Sequence, residues 1–195
     1  MRPVRSILAG SFAATALLAR AAAAQPDAPP EPDGYRMEDY RSPTPATLKG
    51  AKVVSTGDAA ALWREGSSAF IDVLPRAPKP QNLPPGTIWR DTPHDSLPGA
   101  IWLPNTGYGA LSAEAEAYFR RGLQTATKGD PQRPITFFCQ RACWMSWNAA
   151  KRILTYGYSD VAWYPEGTDG WERAGLALTE SQPEPRAGEA AAAPK

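Results

Sequence analysis

The sequence contains few side chains that could hold a metal or a redox cofactor. Only two cysteines and one histidine occur among its 195 residues, so a structural zinc site would lack ligands. Three residues separate the cysteines, whereas thioredoxin-type pairs have two, and tryptophan follows the second cysteine where a c-type haem site has histidine. The glycine-rich phosphate loop, GxGxxG and GxSxG are also absent. These absences leave the cysteine pair, Cys139 and Cys143, as the main candidate for chemistry.

The sequence has a single long apolar segment, which lies at its N-terminus. Arg2 and Arg5 precede the apolar residues 7–19, and three alanines at 22–24 offer a cleavage site. The apolar stretch is too short to span a bilayer comfortably. We therefore predict that residues 1–24 are a cleaved signal peptide and that the mature chain is exported without a membrane span. An uncleaved anchor is the alternative.

The numbers of acidic and basic residues are nearly equal, so the composition does not indicate a polyanionic partner. Cleavage after residue 24 removes three of the 21 basic residues and none of the 20 acidic ones, so the mature chain is slightly acidic. No basic patch remains, and we expect neither a nucleic-acid partner nor binding to an anionic membrane. The mature chain is long enough for one domain with a substantial core.

Periodic patterns divide the mature chain into an extension, a domain and a tail. Residues 25–49 are rich in proline and acidic residues and are expected to run extended, with aromatic residues able to dock on the domain. Residues 179–195 are expected to be disordered. Residues 50–178 alternate strand and helix patterns, with strands at 51–55, 68–73, 100–104, 134–138 and 160–164 and helices at 58–64, 112–124, 146–154 and 168–174.

Five short strands separated by helices indicate an α/β domain with a central parallel five-stranded sheet flanked by helices. A proline-rich segment, residues 74–97, interrupts the alternation, and we expect its histidine, His94, at the surface. In such sheets, reactive residues gather beyond the carboxyl ends of the strands. Cys139 lies at such an end, and so do Asp72 and the residues after it.

The turn at residues 139–144 lies between the strand at 134–138 and the next helix. A cysteine on such a turn has its sulfur near the first free amides of the helix, and those donors and the helix dipole stabilise a thiolate. We therefore predict that Cys139 is a nucleophile and that Cys143 is its resolving thiol. The alternative is a pair of buried, inert cysteines in a fold that has lost its activity.

A bond between the two cysteines would close a very small loop. Such a loop restricts the unfolded chain only slightly, so a disulfide here would add little stability. This favours a chemical role for the pair over an architectural one. Pairing requires Cα atoms less than about 7 Å apart, which the turn permits.

Other residues of the turn could bind a substrate. Gln140, Arg141 and Ala142 would offer backbone amides to an anion, and Arg141 is the only cation within the turn. Trp144 would wall a pocket beside the sulfur or anchor the helix in the core. Trp147 is expected in the core.

Two charged residues follow the strand at 68–73. Asp72 could orient the cysteine turn by accepting its amide hydrogens, although a structural role is the stronger expectation. Arg76 could attract an anionic sulfur donor or lie at the surface without such a role.

Four segments resemble parts of a rhodanese domain in their residues and their order. They are Phe70-Ile71-Asp72-Val73-Leu74-Pro75-Arg76, Leu97-Pro98-Gly99-Ala100-Ile101-Trp102-Leu103-Pro104, Phe138-Cys139 with Ala149-Ala150 on the following helix, and Tyr164-Pro165-Glu166-Gly167 through Trp171. Together they cover about residues 50–178. The resemblance implies a single rhodanese-like domain and places Cys139 in its active-site loop.

The cysteine turn and its helix resemble more narrowly the exported rhodanese-like family that is named for a CXXCW motif and associated with PQQ-dependent catabolism. The similarity includes residues 34–36, 71–80, 86–91, 103–109, 139–152 and 163–171. It implies a periplasmic protein that supports quinoprotein oxidation of alcohols, with a quinoprotein dehydrogenase, a cytochrome c or transport components as partners. The residues themselves imply no cofactor, and PQQ enters through the resemblance alone.

The turn departs from that of ordinary sulfurtransferases. It is slightly longer, it contains a second cysteine, and Trp144 stands where a small or basic residue is common. These departures disfavour thiosulfate:cyanide transfer, because Trp144 would narrow the mouth of the site and Cys143 would convert a persulfide into a disulfide. Three functions remain open, namely thiol redox chemistry, conventional sulfur transfer and non-catalytic binding.

Overall fold

The computed structural model describes residues 28–77, 80–88 and 92–186. The predicted signal peptide and the last residues of the predicted tail, 187–195, lie outside the described residues. In the described part of the chain, no helix is long and apolar enough to cross a membrane.

The described residues form seven strands and four helices in chain order. The strands are β1 (Lys52–Val53), β2 (Ala69–Asp72), β3 (Asp95–Ser96), β4 (Ile101–Trp102), β5 (Ile135–Phe138), β6 (Val161–Tyr164) and β7 (Thr179–Glu180), and the helices are α1 (Thr56–Glu65), α2 (Ala113–Thr127), α3 (Trp144–Thr155) and α4 (Gly167–Arg173). Five strands pair in the order β1-β6-β5-β2-β4, and every pair in this sheet is parallel. The predicted α/β domain with a parallel five-stranded sheet is confirmed.

Alternate side chains of the strands build two cores, one on each face of the sheet. Ile71, Phe137 and Trp163 share one core with buried residues of α2 and α3. Phe70 and Phe138 share the other with buried residues of α1 and α4. Successive side chains of a strand point to opposite faces, so helices on both sides require strands that are apolar throughout. All four residues of β5 are accordingly buried, including Thr136, whose hydroxyl forms a hydrogen bond with that of Ser68.

Helix ends follow local sequence signals closely, with two shifts. Helix α1 begins at Thr56, two residues before its predicted start, and its N-cap is Ser55. In a capping box, the Ser55 hydroxyl accepts the Asp58 N–H and the Ser55 N–H donates to the Asp58 carboxylate, to which the hydroxyl also donates. These hydrogen bonds lower the pKa of Asp58 below its ordinary value. Ser112 is the N-cap of α2, and its hydroxyl accepts the Ala115 N–H at 3.2 Å. Helix α3 begins at Trp144, two residues before its predicted start.

Residues 28–49 of the N-terminal extension pack along α3 without regular secondary structure of their own. The side chain of Asn148, fully buried on α3, accepts the Arg36 N–H at 2.9 Å and donates to the Arg36 carbonyl at 2.9 Å and the Gly107 carbonyl at 3.0 Å. Trp147 donates its indole N–H to the carbonyl of Thr47, and Lys151 donates to that of Pro32. The extension therefore covers a helix face that would otherwise be exposed.

The C-terminal segment packs against the sheet edge, so the predicted disorder from residue 179 is wrong for residues 179–186. Strand β7 pairs antiparallel with β3, and the Ser181 N–H donates to the carbonyl of His94 at 2.7 Å. The Glu184 N–H donates to the carbonyl of Trp102 on the edge strand β4 at 2.9 Å. The polar, proline-containing sequence of residues 179–186 does not reveal their role, which is to satisfy backbone groups along an otherwise open edge.

Replacing Asn148 with alanine should release the extension from α3. The variant leaves the backbone groups of Arg36 and Gly107 without their side-chain partner, and we expect a loss of about 1–3 kcal/mol in the free energy of unfolding by urea. Limited proteolysis should cleave residues 28–49 faster than in the wild type. Met37→Ala is the control, because the Met37 side chain is 60% exposed. An extension that stays as protected as in the wild type contradicts the anchoring role.

Candidate functional site

A cavity of about 720 Å³ opens beside the carboxyl ends of β2 and β5. Four segments line it, namely the N-terminal extension, the chain after β2, the loop before α2 and the cysteine turn. The lining residues are Asp39, Tyr40, Arg41, Leu74, Pro75, Tyr108, Gln140, Cys143 and Met145. The position agrees with the rule that sites in parallel sheets form beyond the carboxyl ends of the strands.

Cys139 and Cys143 form a disulfide, with Cα atoms 6.4 Å apart. Cys139 directly follows β5, and Cys143 is the N-cap residue of α3. Both side chains are buried, with exposed fractions of 1% and 2%. Cys143 nevertheless lines the cavity, whereas Cys139 is not among the lining residues. The sequence left pairing open, and it predicted that Cys139 rather than Cys143 would meet a substrate.

The backbone of the cysteine turn is held by neighbouring segments. The N–H of Arg141 donates to the Asp169 carboxylate at 3.0 Å, and the N–H of Trp144 donates to the carbonyl of Tyr40 at 2.9 Å. Ala142 adopts the left-handed region, with φ of 52°. The expectation of unpaired turn amides is therefore wrong for two of them, because a carboxylate and a carbonyl already accept their hydrogens. An anionic substrate would have to compete with Asp169.

The Arg141 side chain does not contribute to the cavity either. It is exposed and is not among the lining residues. Gln140, by contrast, lines the cavity and forms a β-bridge with Gly167. Of the residues predicted to form an anion cradle, Gln140 is therefore the one that lines the cavity.

Close contact between Gly167 and the cysteine turn fixes the position of Cys139. Gly167 adopts φ of 51°, and a Cβ there would overlap the carbonyl oxygen of Cys139. That oxygen accepts the N–H of Thr168 at 3.0 Å. Glycine is therefore required here both by backbone conformation and by space.

The tryptophans of α3 do not wall the cavity. Trp144 is 3% exposed, donates its indole N–H to the Ser42 hydroxyl at 3.0 Å and lies 5.3 Å from the ring centre of Trp147. The interpretation of Trp144 as a pocket wall is wrong, because the N-terminal extension covers its ring. Trp147 is fully buried, as predicted. The aromatic wall consists instead of Tyr40 and Tyr108, whose rings meet edge to face at 5.2 Å.

The buried side chain of Arg152 holds the loop that carries Tyr108. The guanidinium of Arg152 donates to the carbonyls of Thr106, Tyr108 and Gly109 at 2.7–3.2 Å. The pKa of Arg152 is lowered by burial, but it stays charged at any physiological pH because its ordinary value is so high. A Cβ at Gly107 would overlap the Met145 backbone, so this loop approaches the start of α3 very closely.

Asp72 anchors the opposite wall of the cavity rather than the cysteine turn. Its buried carboxylate accepts the Leu74 N–H at 2.8 Å and the Ser96 hydroxyl at 2.6 Å, and it pairs with His94 Nε2 at 2.7 Å. None of these partners belongs to the cysteine turn. The stronger, structural expectation for Asp72 agrees with this network, while its hydrogen bond to Leu74 fixes a residue that lines the cavity.

The surface position predicted for His94 is wrong. Its side chain is 9% exposed, and its ring lies 4.3 Å from that of Trp102. Burial follows because strand β3, which begins one residue later, pairs with β7 and draws the segment against the sheet edge.

Arg76 lies outside the cavity lining. It is half-buried, and its backbone N–H donates to the side chain of Asn105 at 3.1 Å. Among the described residues that line the cavity, Arg41 is the single cation and Asp39 the single carboxylate. The wall therefore carries little net charge.

Apart from the cavity, a cluster of hydrogen-bonded hydroxyl groups lies at the carboxyl end of β6. The Tyr164 hydroxyl bonds that of Thr56 at 2.9 Å, and the Thr56 N–H donates to the Glu166 carboxylate at 2.9 Å. Burial raises the pKa of Tyr164 to about 12, although the Thr56 hydrogen bond opposes the shift. This cluster ties the start of α1 to the turn before α4 and takes no part in the cavity.

No group of three or more His, Cys, Asp and Glu side chains in the described ranges could hold a metal ion.

Comparison with known proteins finds similar chains among solved structures. No protein-family model matches the chain, and no curated protein matches it either. Among solved structures, a thiosulfate sulfurtransferase from Pseudomonas aeruginosa is 18% identical over 68% of this chain, with a TM-score of 0.46. The polysulfide-sulfur transferase homodimer of Wolinella succinogenes is 19% identical over 67% of this chain and 79% of its own, with a TM-score of 0.41. The chain spans 21% of the length of the Pseudomonas protein.

Substituting Gly167 with alanine should disturb the cysteine turn, whereas the same substitution at Gly175, which also has a left-handed backbone conformation, should not. Gly167→Ala and Gly175→Ala both place alanine in the left-handed region, which costs about 1–2 kcal/mol of stability. A Cβ at Gly175 would meet open space, whereas one at Gly167 would not. We therefore expect a larger loss of unfolding free energy and faster reduction of the disulfide by dithiothreitol for Gly167→Ala alone. Equal losses and equal reduction rates would argue against the contact.

Proposed function

We propose that this protein is an exported, rhodanese-like protein whose Cys139–Cys143 disulfide exchanges with thiols. The observation that carries the proposal is that one sulfur-bearing residue of the disulfide, Cys143, lines a cavity of about 720 Å³. A disulfide beside a cavity gives an external thiol a path to a sulfur, and access governs the rate of thiol–disulfide exchange.

The small loop supports a chemical role for the disulfide. In the chain-entropy relation, a loop this short contributes roughly 2 kcal/mol, less than a disulfide that closes a long loop. The turn is also held without it, through the hydrogen bonds of Thr168, Asp169 and Tyr40 to its backbone. The bond is therefore not needed to give the turn its shape, which leaves it free to open and close.

The surroundings favour thiol exchange over transfer of sulfur from a small anion. Asp169 already accepts the Arg141 N–H, and the Arg141 side chain is exposed outside the cavity. Arg41 and Asp39 balance each other on the lining. An anionic sulfur donor would gain little from such a wall, because it needs fixed donors and net positive charge.

The cellular setting of the proposal rests on sequence resemblance and on the predicted signal peptide. We propose that the protein is periplasmic and supports PQQ-dependent oxidation of alcohols, together with a quinoprotein dehydrogenase, a cytochrome c or transport components. No residue of the cavity is assigned to PQQ. The intact mass of the natively exported protein checks the setting, since cleavage after Ala24 and loss of two hydrogens on disulfide formation change it by known amounts.

Redox titration tests the proposed activity. In dithiol buffers the Cys139–Cys143 disulfide should open and close reversibly, with a reduction potential above about −300 mV, because structural disulfides fall below that value. Alkylation of the freed thiols followed by mass measurement reports the fraction reduced. Cys139→Ser and Cys143→Ser are matched controls that remove the disulfide while leaving one thiol each. A potential below that limit, or irreversible reduction, excludes the activity.

Near-complete burial of both cysteine side chains favours a second candidate, a non-catalytic binding module. In that case the disulfide is a permanent part of the wall, and the cavity holds a ligand or a partner segment. The same titration separates the two functions, since a permanent disulfide resists reduction until the protein unfolds.

A further inference from the structure

Building on the proposed thiol exchange, we infer that an incoming thiol attacks the sulfur of Cys143. We also infer that the cavity selects thiols that carry an apolar group next to the sulfur-bearing residue over small anionic thiols. The juxtaposition of a disulfide residue, Cys143, with the aromatic and aliphatic residues that line the same cavity carries both parts of the inference. It reverses the roles that the sequence assigns to the two cysteines.

The positions of the two cysteines decide which sulfur can be reached. Cys143 lines the cavity, and Cys139 does not. Both side chains belong to the core cluster on the α2 and α3 face of the sheet, but the Cys139 backbone carbonyl is also covered, by Gly167 and Thr168. A thiolate must approach the sulfur that it attacks, so exchange begins at Cys143.

The exchange then proceeds in two balanced steps. The thiolate of the substrate donates an electron pair to Cys143 Sγ, the Cys139–Cys143 bond breaks, and Cys139 leaves with the bonding pair and takes up a proton. A second substrate thiolate attacks the substrate sulfur of the mixed disulfide and expels the Cys143 thiolate, which is protonated in turn. Two substrate thiols are thereby oxidised to one disulfide, and the protein disulfide is reduced to two thiols.

The wall of the cavity defines the class of thiol. Leu74, Pro75 and Met145 present aliphatic or thioether groups, and Tyr40 and Tyr108 present aromatic rings. Sites that bind organic ligands are mostly apolar and have volumes of about 300–1,000 Å³, a range that includes this cavity. In a peptide substrate, a phenylalanine or leucine side chain next to the reacting cysteine would fill the cavity. A small anionic thiol would leave most of the apolar wall in contact with water.

Hydrogen bonds also hold the apolar wall in place, and a preformed wall is needed to select one class of thiol over another. Arg152 fixes the carbonyl of Tyr108 at 2.7 Å, and the Tyr40 hydroxyl accepts the Gly109 N–H at 3.1 Å. Asp72 fixes the N–H of Leu74 at 2.8 Å. Each side of the cavity therefore has its own anchor, so an apolar group meets a preformed surface rather than one that it must order.

Trapping of mixed disulfides tests which sulfur reacts. Cys139→Ser retains the Cys143 thiol, and Cys143→Ser retains the Cys139 thiol. Each folded variant is mixed with the disulfide dimer of the capped peptide acetyl-Phe-Cys-Leu-amide, and adduct formation is followed by mass. We expect Cys139→Ser to form the adduct at least about tenfold faster, with equal rates once both variants are unfolded in urea. Equal rates in the folded state, or faster reaction of Cys143→Ser, overturn the assignment.

Competition between two thiols tests the substrate class. The oxidised protein is reduced either by acetyl-Phe-Cys-Leu-amide or by 2-mercaptoethanesulfonate, and each rate is divided by that on the urea-unfolded protein to remove intrinsic reactivity. We expect a normalised preference for the peptide of about tenfold or more. Tyr108→Ala should lower this preference severalfold, and Ile88→Ala, whose side chain is 80% exposed and outside the lining, should retain it.

The outcomes separate this inference from the proposed function. A disulfide that titrates reversibly but shows no preference, or a preference that Tyr108→Ala leaves intact, overturns the substrate class while thiol exchange stands. A disulfide that resists reduction in the folded protein overturns both.

Discussion

The position of the cysteine turn depends on hydrogen bonds from two segments that are far apart in the sequence. From the α4 side, Thr168 donates to the Cys139 carbonyl and the Asp169 carboxylate accepts the Arg141 N–H. From the extension, the Tyr40 carbonyl accepts the Trp144 N–H, the first amide of α3. These bonds occupy donors that a helix end would otherwise turn towards solvent or an anion. They also present Cys143 to the cavity and leave Cys139 behind it.

This arrangement explains why the fold was predictable from the sequence to a greater extent than the site. Strand and helix patterns are local, and the predominantly apolar pattern of a strand such as β5 is already typical of a parallel sheet covered on both faces. The pairing of β3 with β7, by contrast, joins residues 95–96 to 179–180 through two residues on each side. Elements this short carry no periodicity, so neither the order of residues 179–186 nor the burial of His94 follows from the sequence.

The sequence indicated the cysteine pair but not the residues that line the cavity beside it. The two cysteines stood out because they flank a strand-to-helix turn, and spacing alone allowed them to pair. Trp144 was misplaced because its side chain packs beneath residues of the extension, which are about 100 positions away in the chain. Tyr40 and Tyr108 carry no motif of their own. They become wall residues only when the extension docks on α3 beside the loop before α2, which is a tertiary event.

The extension therefore has to be counted as part of the site rather than as a linker. It supplies Asp39, Tyr40 and Arg41 to the cavity lining, and its Tyr40 carbonyl caps the helix that begins after Cys143. Tyr40 thus contributes an aromatic ring to the wall and a backbone acceptor to the helix that begins after Cys143. Undocking the extension would remove one wall of the cavity and expose Trp144 and the start of α3 at once. The shape of the cavity and the access of thiols to Cys143 therefore both depend on one short segment. A partner that displaced residues 36–42 would alter both.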